Sequence, residues 1–192
     1  MMRLILASGS PRRVELLKTL ADVFEVIPSD IEEVFNLDLP EIGDQVSDLA
    51  AQKALAVAQV QTDDCLVIGA DTIVYLEQCV LGKPHHDSEA ERMLKALSGQ
   101  WHEVITGVAL VRRHAGQFSQ QLGHAVSRVK MRDITLAEIT AYVQTKEPLD
   151  KAGAYAIQGG AGAFVEEIQG SYENIVGLPL DLLAKMLSAD PA

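Results

Sequence analysis

Asp71 closes the most apolar run in the chain, Cys65-Leu66-Val67-Ile68-Gly69-Ala70-Asp71. Such a run reads as a buried strand, so the carboxylate at its end needs a partner. At the exit of a strand in an open α/β sheet it is a candidate general base; the plainer alternative is an aspartate that caps the next element. Gly69 leaves room there for close approach of other backbone. Two arginines, Arg12 and Arg13, follow Leu4-Ile5-Leu6-Ala7-Ser8-Gly9-Ser10-Pro11. Ser10 reads as a helix N-cap and Pro11 as the first helical residue. Cations in a first helical turn oppose the macrodipole, at roughly 0.3–1 kcal/mol each. Either they share an anion with the helix N-terminus, or the helix start is exposed and its arginines are solvated.

Further charged groups stand near these two. Lys53 falls on the apolar stripe of a predicted helix, where a lysine either snorkels or meets an anion. Lys83 is held between Gly82 and Pro84, as a presented cation or an ordinary turn lysine. Glu32 and Glu33 could join Asp71 around a divalent cation; a solvated acidic loop is the other reading, above all for Glu32. Several tempting patterns carry less. His85-His86 lacks metal-ligand spacing, and Asp87 beside it is expected to cap a helix. Ser8 and Ser10 make no nucleophile elbow. Gly159-Gly160-Ala161-Gly162 lacks the Lys-Ser or Lys-Thr of a P-loop and the flanks of a dinucleotide fingerprint.

The elements that must position these groups follow from periodicity. A short N-terminal strand precedes a helix from Pro11 to about Leu20, and Val23–Ile27 reads as a second strand. A helix covers roughly Asp44 to Val60, with Val46, Leu49, Ala50, Ala54 and Val57 inward. After Asp71 the strand resumes to Leu76 and turns at Glu77-Gln78 into Cys79-Val80-Leu81. A helix capped by Asp87 runs to Ser98, with Gly99 as its stop. Two long strands, about 101–112 and 117–131, join at His114–Gly116. Thr135 and Glu138 form a capping box, and Ile134 and Ile139 a hydrophobic staple, for a helix to about Thr145. Residues 147–163 are loop-rich, Phe164-Val165 and Ile175-Val176 suggest short strands, and a helix from Pro179 to Leu187 follows. The pattern is that of an α/β fold with a mixed sheet, in two lobes.

Composition narrows the class. A chain of 192 residues with 48% apolar and 22% charged residues is long enough for a substantial core. No run reaches the ~18 apolar residues of a membrane span, and no secretory signal pattern opens the chain, so a cytoplasmic location is expected. In a reducing compartment Cys65 and Cys79 read as buried thiols. The net charge of −11 argues against a nucleic-acid binder. Its distribution is uneven: residues 22–48 hold nine carboxylates and no Lys or Arg. An acidic shell around a local basic pocket suits a metal-dependent phosphate enzyme, and equally suits an ordinary acidic protein.

Together these segments resemble the Maf family of nucleotide pyrophosphatases. The resemblance rests on LILASGSPRR at 4–13, Lys53, GADTIV at 69–74, GKP at 82–84, TGVAL at 106–110 and above all EPLDKAGAYAIQGGAGAFVEEIQGSYENIVGLPL from 147 to 180. It implies one domain over 1–192 with a Ham1-like, elongated mixed twisted sheet flanked by helices and a site in a cleft. It implies hydrolysis of a nucleoside triphosphate to the monophosphate and pyrophosphate, with magnesium or manganese as cofactor. By resemblance the general base is Asp71, phosphate handling falls to Ser8, Arg13, Lys53 and Lys83, and Glu33 joins Asp71 at the metal. Arg12, Thr72 and Gln158 match the branch acting on dTTP and UTP, where the sister branch preferring methylated GTP has an aromatic, a Gln and a Glu. A homodimer is the expected assembly. A nucleotide-binding regulator of cell division, needing the phosphate binders but no base, is the competing function.

Overall fold

Strand alternation and helix stripes converge on a mixed seven-stranded sheet. The structure is a computed structural model that describes residues 2–189. In chain order the elements are β1 (Arg3–Leu6), α1 (Pro11–Leu17), β2 (Glu25–Val26), α2 (Ile42–Gln59), β3 (Cys65–Leu76), β4 (Cys79–Leu81), α3 (Asp87–Leu97), β5 (Trp101–His114), β6 (Gln117–Met131), α4 (Leu136–Gln144), β7 (Val165–Gln169), α5 (Tyr172–Val176) and α6 (Leu180–Ala189). Three short 3-10 turns lie between α4 and β7. The strand order is β2-β1-β3-β5-β6-β7, with β4 paired to β3. β1 runs parallel to both β2 and β3, while β4 and β7 pair antiparallel with β3 and β6. This is the mixed α/β sheet expected from sequence.

The chain packs as two compact units, and the long strands β3, β5 and β6 contribute to both. The first unit holds the chain through Asp71, Thr106–Ala125 and the segment from Gly177 on. Alternation along its strands sends successive side chains to opposite faces. Ile5, Cys65, Val67 and Ala109 pack with Ala50, Ala54 and Val57 of α2. Leu6, Leu66, Ile68 and Leu110 pack with Leu17 of α1 and Leu183 and Met186 of α6. The second unit, Thr72–Ile105 and Val126–Val176, gathers Leu94 and Leu97 of α3, Ile139 and Val143 of α4, and Tyr155 and Phe164 around Val129 and Met131.

Local expectations fare unevenly. The Thr135–Glu138 capping box is present, and Arg132 adds an ion pair to Glu138 at 2.7 Å. That hydrogen bond from Arg132, with the capping bonds from Thr135, holds the exposed Glu138 carboxyl down at about 2. The Ala115-Gly116 turn joining β5 to β6 has positive φ at both residues, the hairpin geometry that matches strand twist. Five expectations need correction. Cys79 is exposed on the short strand β4, whereas Cys65 is buried as expected. α1 ends at Leu17 rather than Leu20, because the Thr19 hydroxyl donates to the Leu16 carbonyl at 2.7 Å and tightens the exit. Strand β2 shrinks to Glu25–Val26. The N-cap of α3 is His86, whose Nδ1 accepts from the Glu89 amide at 3.2 Å; Asp87 is the first helical residue and pairs with Lys146. Ile175-Val176 lies in helix α5, not in a strand. Ser171 accepts from the Asn174 amide at 3.1 Å, and buried Asn174 donates to the Val104 carbonyl and to Ser127. Two β-branched residues there are outvoted by a cap and a buried amide.

Helix α2 meets β3 at Gly69. A Cβ on that residue would overlap the Ala50 carbonyl oxygen and press on the Ala54 methyl at 2.9 Å, and Gly107 of β5 lies as close to the Val46 backbone. Two glycines in neighbouring strands thus let α2 lie flat on the sheet. Gly69→Ala is therefore expected to destabilise the fold by roughly 1–3 kcal/mol through overpacking, read as a lower urea midpoint at unchanged slope. Because α2 carries Lys53 and β3 carries Asp71, the same variant should also disturb the spacing between those two residues.

His102 gives the second unit a pH dependence. Its ring is 2% exposed, its Nε2 lies 2.7 Å from the Tyr155 hydroxyl, and its buried Nδ1 has no hydrogen-bond partner among the described residues. Burial alone drops its pKa from 6.5 to about 4. Between those values the unfolded chain binds the proton and the folded one does not, so stability rises with pH. The contribution is complete above pH 6.5 and fades as pH falls toward 4, by about 3 kcal/mol in all. Urea melts between pH 7 and 4.5 should show that slope in the wild type and a shallower one in His102→Gln.

Candidate active site

Helix α1 and the turn before it build one wall of the first unit's charged cluster. Ser10 caps α1 as expected, accepting from the Arg13 amide at 3.5 Å. Its own amide donates to the Ser8 hydroxyl at 3.2 Å. Buried Ser8 also accepts from Nη1 of Arg13 at 3.3 Å, and Nε of Arg13 donates to the Gly177 carbonyl at 2.8 Å. The guanidinium is thus fixed in orientation from two sides. Burial lowers its hold on the proton and neighbouring Arg12 lowers it further, while Asp71 and Glu33 pull the other way. The group remains a cation, since no protein environment readily deprotonates arginine. Gly177 is the contributor that the sequence did not flag. A glycine before Leu178-Pro179 advertises only a turn, and a backbone carbonyl leaves no trace in residue type.

Helix α2 and strand β3 build the centre. Lys53, on the apolar stripe of α2, does not snorkel to water. Its ammonium donates to Oδ1 of Asp71 and, at 2.7 Å, to Oε1 of Glu33. The Lys53 and Asp71 side chains are each 11% exposed, whereas Glu33 is about half exposed. The buried carboxylate at the end of the apolar run has its partner, and the buried lysine has its anion. Breaking such a pair from one side strands a charge, typically at 3–5 kcal/mol. By formal charge, Lys53 and Arg13 balance Asp71 and Glu33, so any polyanion arriving here brings unbalanced charge with it.

Two carboxylates converging on one ammonium is also the donor chemistry of a hard cation. Magnesium takes one or two carboxylates and completes its shell with water and substrate phosphates, and Asp71 with Glu33 fits that demand. Among the described residues no three His, Cys, Asp or Glu side chains gather as an all-protein metal cage.

The other expected residues lie in the second unit. Thr72 follows Asp71 along β3 and is half-buried. Lys83 is exposed behind buried Pro84, and the Gly82 carbonyl before it accepts from the Gly153 amide at 3.0 Å. Gln158 is exposed at the tip of a tight turn closed by the Gly159 amide on the Ala156 carbonyl at 3.0 Å. The segments carrying Lys83 and Gln158 are therefore joined through backbone.

Comparison with known proteins places this arrangement. Residues 3–189 match the family described as Maf-like protein. A dTTP/UTP pyrophosphatase of Clostridium novyi (strain NT) is 48% identical over 188 residues, 96% of each chain. One from Bacillus cereus (strain AH187) is 46% identical over 187 residues, 97% of this chain and 95% of the relative. Among solved structures, a HAM1 protein from Coxiella burnetii shares the fold at a TM-score of 0.54 and 18% identity, covering 99% of this chain and all of that one. The Staphylococcus aureus Ham1 protein does so at 0.53 and 16%, covering 98% and 100%. With a family match and nearly half its residues shared along almost the whole length, the chain belongs to the Maf family.

Proposed function

We propose that the protein is a nucleoside triphosphate pyrophosphatase acting on dTTP and UTP, with residues 1–192 working as one Maf-like domain. The observation that carries this is the Lys53 ammonium held between Asp71 and Glu33, beside an Arg13 already aimed by Ser8 and Gly177. The relatives named above support the substrate choice, because they match along nearly their whole lengths.

Hydrolysis needs water to attack phosphorus while the bridging bond between the α- and β-phosphates breaks, releasing monophosphate and pyrophosphate. The Asp71 carboxylate accepts the proton of that water. Lys53, Arg13 and Lys83 stabilise the charge gathering on the leaving pyrophosphate, and pre-set orientation is what makes such cations effective. Ser8 holds Arg13 and offers its hydroxyl to a phosphate oxygen. Asp71 and Glu33 would hold magnesium or manganese, which when bound neutralises phosphate charge and makes water more acidic. On the base, uracil and thymine present O4 as acceptor and N3–H as donor. The Gln158 carboxamide matches both but can flip to suit cytosine, whereas the Arg12 guanidinium can only donate and so favours a carbonyl oxygen. Thr72 completes the specificity set. The substrate is a free nucleotide rather than nucleic acid or lipid, the expected compartment the cytoplasm and the expected assembly a homodimer.

Two measurements test this. Pyrophosphate release from dTTP and UTP with magnesium should fall by roughly 10²–10⁴-fold in Asp71→Asn, with nucleotide binding retained. Wild type that binds but turns over no faster than the variant would instead mark a nucleotide-binding regulator. Separately, Arg13→Ala should slow every triphosphate alike, whereas Arg12→Ala and Gln158→Glu should mainly blur the preference for UTP over CTP and methylated GTP. Equal losses on all substrates for all three variants would refute the division between phosphate and base contacts.

A further inference from the structure

Gln158 sits at the tip of an exposed turn with no helix or strand to hold it, yet that turn is closed on itself and its far flank is tied to Glu147, which buried Tyr142 holds. On the near side, the Gly159 amide closes the turn on the Ala156 carbonyl at 3.0 Å. The Tyr142 hydroxyl donates to Oε1 of Glu147 at 3.0 Å. On the far side, the Gly160 amide donates to both Glu147 oxygens at 3.2 Å. Hydrogen bonds thus run from Tyr142 through Glu147 to Gly160, two residues beyond Gln158, while the turn itself is closed from Gly159 to Ala156.

The clamp is itself anchored. Tyr142 belongs to α4, is 6% exposed, and stacks edge-on against buried Phe164 with ring centres 5.5 Å apart. Burial and Glu147 together push its hydroxyl well above the ordinary tyrosine value, so it stays a donor. Glu147 is aimed by the chain reversal at Lys146, whose φ of +65° is uncommon for a lysine and whose ammonium pairs with Asp87 of α3. A Cβ on Gly159 would overlap Oε1 of Glu147, so any side chain there would displace the carboxylate. The turn is shaped around the carboxylate.

We infer that Tyr142 and Glu147 are positioning residues for base selection. They fix the Gln158 turn so that its carboxamide is delivered to one place at the pyrimidine edge. The inference rests on the base-reading role of Gln158 proposed above. The carboxamide still turns about its own side-chain torsion, but a fixed turn sets the one position from which it reaches the base, where a loose turn would offer several. Discrimination by hydrogen bonding depends on that fixity, since a mobile partner can re-pair with the wrong base.

Steady-state kinetics of the full chain on UTP and CTP test it, with thermal melts confirming that each variant folds. Tyr142→Phe and Glu147→Ala should each cut the UTP-over-CTP ratio of kcat/KM by roughly tenfold, the loss on UTP falling more on KM than on kcat. Glu147→Gln, which keeps an acceptor for Gly160, should restore much of the ratio. In a Gln158→Ala background Glu147→Ala should change the ratio no further, as expected for residues that act through one another. A Glu147→Ala variant that slows both nucleotides equally, or that shifts the ratio as much without Gln158 as with it, would overturn the clamp. If Gln158→Ala alone leaves the ratio unchanged, the base-reading role fails and the clamp falls with it. A ratio that falls in Gln158→Ala but holds in Glu147→Ala and Tyr142→Phe rejects the clamp alone.

Discussion

A buried lysine and a buried aspartate can coexist only because each neutralises the other. Neither Lys53 nor Asp71 would tolerate its position alone, since an unpaired charge out of water costs several kcal/mol. The pair in turn dictates how close α2 must come to β3, and the missing side chain at Gly69 is what permits that distance. Helix stripe, sheet face and charge pair are thus one constraint. A fold that moved α2 outward would strand two charges at once, and one that filled the Gly69 gap would force that movement. A pair held this way contributes little net stability for its cost, and its value lies in presenting a carboxylate and an ammonium at fixed positions.

The chain shows two ways of holding the side chains proposed to act. In the first unit, rigid elements do the work. Arg13 comes from a capped helix, Asp71 from a buried strand, and backbone or hydroxyl groups finish the aim. In the second unit, Lys83 and Gln158 stand on turns, which carry function in many proteins because they can vary without disturbing the core. Here Glu147, held by Tyr142, accepts from the Gly160 amide, and a backbone bond from Gly153 to Gly82 ties the segment of Lys83, serving where a ladder would serve in a sheet.

The comparison with Ham1 proteins separates fold from function. At 16–18% identity the sheet and its helices persist, which requires only that apolar alternation and helix stripes be kept. Chemistry depends instead on a handful of polar groups. A few such groups explain how a protein of net charge −11 can still suit a polyanionic ligand. Its cations are few, but Lys53 and Arg13 are gathered and oriented in one place.

Sequence by itself determined a good deal. Apolar periodicity gave the order of strands and helices, because burial imposes a period of 2 on strands and 3.6 on helices. The apolar run ending in Asp71 and the lysine on a helix stripe announced that each needed a partner, since a charge among apolar neighbours must be paired. The motif blocks at 4–13, 69–74 and 147–180 carried the resemblance to the Maf family. Only the tertiary structure decided that the two were partners of each other, with Glu33 as a third member. It alone showed that a Gly177 carbonyl aims Arg13 and that Glu147 braces a turn 11 residues away. It also reversed local signals: His86 rather than Asp87 caps α3, and a buried Asn174 draws Ile175-Val176 into a helix. These outcomes depend on contacts between residues far apart in the chain, or on backbone groups that every residue carries. Residue type along one dimension records neither.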